Sequence, residues 1–203
     1  MNSGRQNPLR GMLAVGDLRS DGLAAEAAEL VLSRPDLLPD LVDMLTDPDP
    51  AARGHAADAL ERVSREEPAA VEKYLGRLLS HVEGDSVAMV RWHLAMIFGN
   101  LSRSEKTASR SVPSLIALLD DPSAFVRAWS VSGLCLIGRQ FSGFQEDILL
   151  ALRRVGSDRS IAVRHRAATA VALLLDPGRP VPRSWVKTSA GRGSAARGKT
   201  APR

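Results

Sequence analysis

Residues 113–134 read PSLIALLDDPSAFVRAWSVSGL, and an aspartate in this stretch, Asp121, is followed six residues later by an arginine, Arg127. The same pair recurs as Asp47 and Arg53, Asp85 and Arg91, and Asp158 and Arg164, so that successive arginines lie 38, 36 and 37 residues apart. Self-similarity at this period marks a solenoid of stacked helix pairs, in which each repeat buries its apolar face only against its neighbours. Counted from each arginine, position −1 is Ala52, Val90, Val126 or Val163, and position +7 is Leu60, Phe98, Leu134 or Val171. Positions +3, +4 and +10 are also apolar or small, and these offsets share one face of an α-helix. Upstream, Leu41, Leu79, Leu115 and Leu152 lie six residues before the aspartate, with Met44, Val82, Leu118 and Val155 three before it. That spacing predicts a first helix in every repeat, the aspartate falling in the turn between the two.

A carboxylate in that turn is placed to accept N–H groups of the second helix's first turn. The arginine, one turn further on, is placed to pair with an aspartate of its own or the next repeat. Asp47, Arg53, Asp85, Arg91, Asp121, Arg127, Asp158 and Arg164 are therefore expected to form a structural ladder along the stack.

The pattern resembles the HEAT repeat family of armadillo-like helical solenoids. The resemblance rests on Pro39, Leu41, Leu45-Thr46-Asp47-Pro48, Arg53, Ala56-Ala57 and Leu60, and on Pro113, Leu115, Leu119-Asp120-Asp121-Pro122, Val126-Arg127, Val131 and Leu134. It spans about residues 35–176 and implies an all-α, right-handed superhelical solenoid of about five helix pairs. The expected organisation is a disordered N-terminus (1–7), a degenerate capping helix pair (8–34) and four repeats (35–67, 68–104, 108–140, 145–176). A disordered basic tail (177–203) follows. Prolines 39 and 113 are expected near the start of the first helix, where their fixed φ is tolerated.

The chain has 203 residues and a net charge of +4. The charge is uneven. Arg179, Arg183, Lys187, Arg192, Arg197, Lys199 and Arg203 lie in residues 177–203, which hold no acid. Setting those seven aside from the 27 basic residues leaves 20 against 23 acidic ones, so the body is net acidic. An acidic body opposes binding to a nucleic-acid backbone, whose affinity comes from phosphate contacts; the tail alone has the charge for nonspecific nucleic acid or an acidic partner. The single cysteine, Cys135, excludes an internal disulfide and suits a reducing compartment. The lack of a long apolar run leaves nothing to span a membrane. No signal-peptide pattern opens the chain, and cytoplasm is the expected compartment.

The solvent face of the second helices is expected at +1, +2, +5 and +9. His55, His93, Trp129 and Arg166 occupy +2, with Trp92 at +1 and Asp58 and Met96 at +5; Arg62 is at +9. These eight residues are the candidate partner-binding stripe on a concave face, since aromatic residues with Arg and His are typical of interaction surfaces. The competing structural reading has Trp92 and Trp129 plug gaps between helices. His55 and His93 with Asp58 fall short of a zinc ligand set, and no cofactor or metal is expected. No nucleophile–base pair or glycine-rich phosphate loop is present. The expected function is a non-catalytic scaffold that binds a protein on the concave face. Two enzymes remain as alternatives by resemblance. HEAT-like alkylpurine DNA glycosylases would use Trp92, Trp129, Asp58, Arg62 and Arg166, although their tryptophan and aspartate lie one turn apart on one helix and here +4 from Trp92 is Met96. For HEAT-like bilin lyases no residue here marks a chromophore site.

Overall fold

The second helices of this chain carry small residues where neighbouring helices must approach, and they stack side by side. The computed structural model describes residues 7–186, and among them the regular elements are helices, with no strand. Two helices come first, α1 (Arg10–Leu13) and α2 (Ala24–Ser33). Four pairs follow. They are α3 (Leu38–Asp43) with α4 (Pro50–Glu66); α5 (Pro68–Glu72) and α6 (Leu75–Gly84) with α7 (Ala88–Leu101); α8 (Glu105–Ala117) with α9 (Ala124–Gln140); and α10 (Gln145–Arg154) with α11 (Ile161–Leu175). The helices α2, α4, α7, α9 and α11 pack in that order, each on the next, while α6, α8 and α10 follow one another in a second layer. At the α7–α9 joint the backbones come close enough that a Cβ on Gly133 would lie 3.1 Å from Ala95 O. The +7 residues Leu60, Phe98 and Leu134 are fully buried, each worth about 1.5–3 kcal/mol of hydrophobic transfer. Val171, at the same position of α11, is only half-buried; among the described residues no further helix pair stacks on α11.

The ladder runs from each repeat to the next. Arg53 Nε donates to Asp85 at 2.9 Å, Arg91 Nε to Asp121 at 2.6 Å and Arg127 Nε to Asp158 at 2.6 Å. In each pair Nη2 donates to the other carboxylate oxygen, making a two-pronged contact. Nη1 of each of these arginines meanwhile donates to the main-chain oxygen of the aspartate in its own repeat. One guanidinium thus ties two successive turns together. Arg10 extends the series by binding Asp47 at 2.8 Å. Because α1 and α2 both pack on α4, and Arg10 stands where a ladder arginine stands, the two short helices together fill the place of a second helix.

Four expectations need correction. The aspartates do not cap the first turn. They lie two residues before the N-cap, and their Oδ1 atoms accept the N–H of the N-cap residues Asp49, Val87, Ser123 and Ser160. The extended turn residue between them sets that offset, and in α4 the cap itself is Asp49. Arg164 keeps its bond to Asp158 O at 2.6 Å but has no carboxylate partner among the described residues. Pro113 sits well inside α8, which begins at Glu105 behind its cap Ser104, rather than near the start of the helix. Finally, residues 177–186, expected within the disordered tail, fold back on the stack. At the other end Asn7 is ordered too, its amide bound to Asp40 O at 2.7 Å.

Candidate functional site

The loop 14–23, between α1 and α2, lies over the N-terminal half of α4. His55 is wholly buried beneath it. Its Nδ1 lies 2.8 Å from Leu13 O, and its Nε2 lies 3.2 and 3.1 Å from Asp17 O and Ser20 O. These are main-chain oxygens of the last residue of α1 and of the loop, so both ring nitrogens face the loop's backbone. Gly22 has φ +52°, and a Cβ there would come 2.9 Å from the imidazole, so the loop closes on the ring only with glycine. Arg62 reaches back to Asp21 of this loop at 3.2 Å and holds Asp58 one turn below at 3.1 Å.

Asp58 and His93 are buried as well, at 3% and 5% exposure. His93 Nδ1 faces Met89 O at 2.9 Å, and Trp92 Nε1 donates to His93 Nε2 at 3.2 Å. An indole N–H only donates, so His93 Nε2 is the acceptor of this contact. Asp58 Oδ1 lies 3.5 Å from the same Nε2. Asp58 is therefore spoken for by Arg62 and shielded by His93, which leaves no open carboxylate for the repair-enzyme set. Among the described residues no three His, Cys, Asp or Glu side chains converge on one point.

The other end of this face is covered from the C-terminus. After α11 the chain turns back, held by Arg139 of α9, whose guanidinium donates to Leu173 O at 3.1 Å and to Arg179 O and Pro177 O, both at 2.8 Å. The strap includes a helical turn, Arg183–Trp185, and Trp185 lines a small cleft together with Met96, Asn100, Trp129, Ser132 and Leu136. Trp185 is 8% exposed. Its indole and that of Trp129 sandwich the Arg166 guanidinium, at 5.3 and 4.8 Å from the ring centres. Arg166 also donates to Ser132 Oγ at 2.7 Å, and burial pulls its pKa below the usual arginine value.

Between the loop and the strap the face stays open at the start of α9 and α11. A groove of about 890 Å³ lies there, lined by Phe125, Trp129, Ile161, His165, Arg166 and Trp185 among others. Phe125 is 65% exposed and Ile161 is 75% exposed. Trp92 borders the groove through its ring contact with Phe125 at 5.4 Å.

The expected stripe thus divides. Trp129 and Arg166 meet at the groove and Trp92 lies beside it. His55, Asp58 and His93 are core, and Met96, 7% exposed, lines the same cleft as Trp185. Arg179 and Arg183 belong to the strap and are exposed, while Lys187, Arg192, Arg197, Lys199 and Arg203 lie outside the described residues. Sequence reading missed Phe125, Ile161, Arg139 and Trp185. The signal for the first two was a large apolar residue two or three positions before the repeat arginine, off the core register. Trp185 is the one large aromatic in the basic tail, and that isolation was its signal.

These features define a helical-repeat protein of the armadillo/HEAT-like kind. No protein-family model matches the chain, and no curated protein matches it. Solved structures do. One is the complex of CpcE and CpcF of phycocyanin lyase from a Nostoc species, at 20% identity and TM-score 0.66 over 80% of this chain and 95% of that chain. Another is a set of computationally designed armadillo repeat proteins for modular peptide recognition, at 18% identity and TM-score 0.63, covering 82% of this chain and 80% of that one. An engineered protein matches at 17% identity and TM-score 0.61, over 83% and 78% of the two chains. At these identities the likeness is one of fold. Among the described residues, no helix is long and apolar enough to cross a membrane.

Proposed function

We infer that this protein is a non-catalytic helical-repeat module that binds a protein partner on the face of its second helices, with the groove at the start of α9 and α11 as the docking site. The observation that carries this reading is the exposure of Phe125 and Ile161 on either side of Trp129, in a face otherwise covered by the protein's own loop and strap. Large apolar side chains left in water beside a packed aromatic and an arginine make the centre of a protein interface. The basic residues beyond the strap add an electrostatic contact with nucleic acid or an acidic partner, on the strength of their uncompensated charge. The shielding of Asp58 disfavours the glycosylase alternative, and the fold likeness to a phycocyanin lyase subunit supplies no residue for bilin chemistry.

The test is affinity capture from cell extract with the full chain and with a Phe125→Asp, Ile161→Asp double variant. Both positions are exposed, so the variant keeps the fold. Partners retained by the parent and lost by the variant support the reading. An identical retained set removes the groove from the interface.

A further inference from the structure

Eight arginines of the described chain are met by a carboxylate across the stack or along a helix: Arg10, Arg53, Arg62, Arg65, Arg77, Arg91, Arg127 and Arg154. Arg139, Arg164 and Arg166 of the second helices are not among them, and of these three it is Arg166 that stacks on aromatic rings. It is drawn into the protein between two indole rings, and its hydrogen bonds go to a hydroxyl and a main-chain oxygen. No carboxylate pairs with it among the described residues, and no acidic side chain lines the groove it borders. The neighbouring titratable group, His165, can add only positive charge. A cation held partly out of water without a counter-ion is unfavourable, and the deficit is relieved by whatever brings a carboxylate to it.

From this geometry we propose that the groove takes an acidic, apolar peptide segment of its partner. A carboxylate of the segment engages Arg166, and large apolar side chains cover Phe125 and Ile161. The proposal rests on the interface reading above and adds the chemistry of the occupant. The shape of the site favours a peptide over a small carboxylic acid. Small ligands are mostly enclosed by their pockets, whereas here the two apolar flanks are 65% and 75% exposed, as a trough for an extended chain would leave them. The strap forms one wall, since Pro182, Ser184 and Trp185 line the groove. Residues 177–203 contain no Asp or Glu side chain that could take the place of the partner's carboxylate.

The test is calorimetric titration of the full chain with three probes: the blocked peptide Leu-Asp-Glu-Leu-Phe-Asp-Leu, its amide counterpart Leu-Asn-Gln-Leu-Phe-Asn-Leu, and octanoate. The acidic peptide is expected to bind about tenfold more tightly than the amide peptide, a difference that shrinks as salt rises. In Arg166→Gln the two peptides are expected to bind within about twofold of each other. Should Arg166→Gln fail to fold, the salt series on the parent protein decides, since an apolar preference would not respond to salt. Equal binding of the two peptides, a preference that survives Arg166→Gln, or octanoate binding as tightly as the acidic peptide would each overturn the proposal. If neither peptide binds while capture still depends on Phe125 and Ile161, the acidic chemistry is refuted and the interface stands. If that dependence is also missing, both fail.

Discussion

Asp120 and Asp121 are adjacent in sequence, and each pairs with an arginine of a neighbouring repeat, yet truncating them should have very different effects. Asp121 accepts Arg91 Nε at 2.6 Å and Nη2 at 3.1 Å, and it also accepts the Ser123 N–H at 2.7 Å. The two paired side chains are 12% and 5% exposed. Removing one partner of a buried pair costs about 3–5 kcal/mol, and the residual water access to Arg91 puts this case at the lower end. The lost acceptor for Ser123 adds about 1 kcal/mol. Asp121→Ala is therefore expected to destabilise by about 3–4 kcal/mol. Asp120 makes one contact with Arg154 at 3.0 Å, between side chains that are 75% and 56% exposed. Asp120→Ala is expected to cost about 0–1 kcal/mol. Urea denaturation followed by circular dichroism, for the parent and both variants, measures the difference. A solenoid's stability is a sum of repeat and joint terms, so Asp121→Ala should also lower the slope of the transition as the stack parts at its middle joint. Equal effects at the two positions would refute the ladder as the element that couples the repeats.

Three further outcomes follow from the same geometry. Asp158 is held below the usual carboxylate range, first by its hydrogen bond from Arg127, so its contribution is present above the ordinary aspartate range and is lost as pH falls through the depressed value; Arg127→Gln should flatten the acid limb of a stability–pH profile. Burial pushes the Cys135 thiol up to about 11 from 9.0; stability is then full below pH 9 and falls by about 1.4 kcal/mol per unit as pH rises toward the folded value, a loss that Cys135→Ala should abolish. Nucleic-acid binding, where it occurs, should be carried by residues 177–203 and weaken steeply with salt, and comparing residues 1–176 with the full chain across a salt series would reject this if the truncated body bound as well.

The stack was legible because its cause is periodic. Four aspartate–arginine pairs in register, with apolar residues at fixed offsets, specify helix pairs whatever the surface does. The site was less legible because what decides it is not periodic. The +2 position carries His55, His93, Trp129 and Arg166, and helical geometry treats all four alike. Their fates differ because the loop 14–23 lies on one end of the face and the strap on the other. Composition alone marked residues 177–186 as part of a polar, basic tail, but a buried tryptophan and two of their main-chain oxygens held by Arg139 seat them. The ladder's direction was open in sequence too, since an arginine six residues after an aspartate is equally spaced to pair within its repeat or beyond it. The turn settles the choice by offering the arginine its own repeat's carbonyl and the next repeat's carboxylate.

The most direct measurement of the central claim is site-specific photo-crosslinking in cells, with a photoreactive amino acid in place of Ala162 in the groove or of Leu150 on α10. Both positions are exposed, and they lie in different helix layers, so the pair compares two faces of one stack. The docking account predicts a discrete crosslinked protein from position 162 that disappears with Arg166→Gln or Phe125→Asp, and little from position 150. A discrete product from position 150 with none from position 162 would place the partner on the other layer and contradict the account.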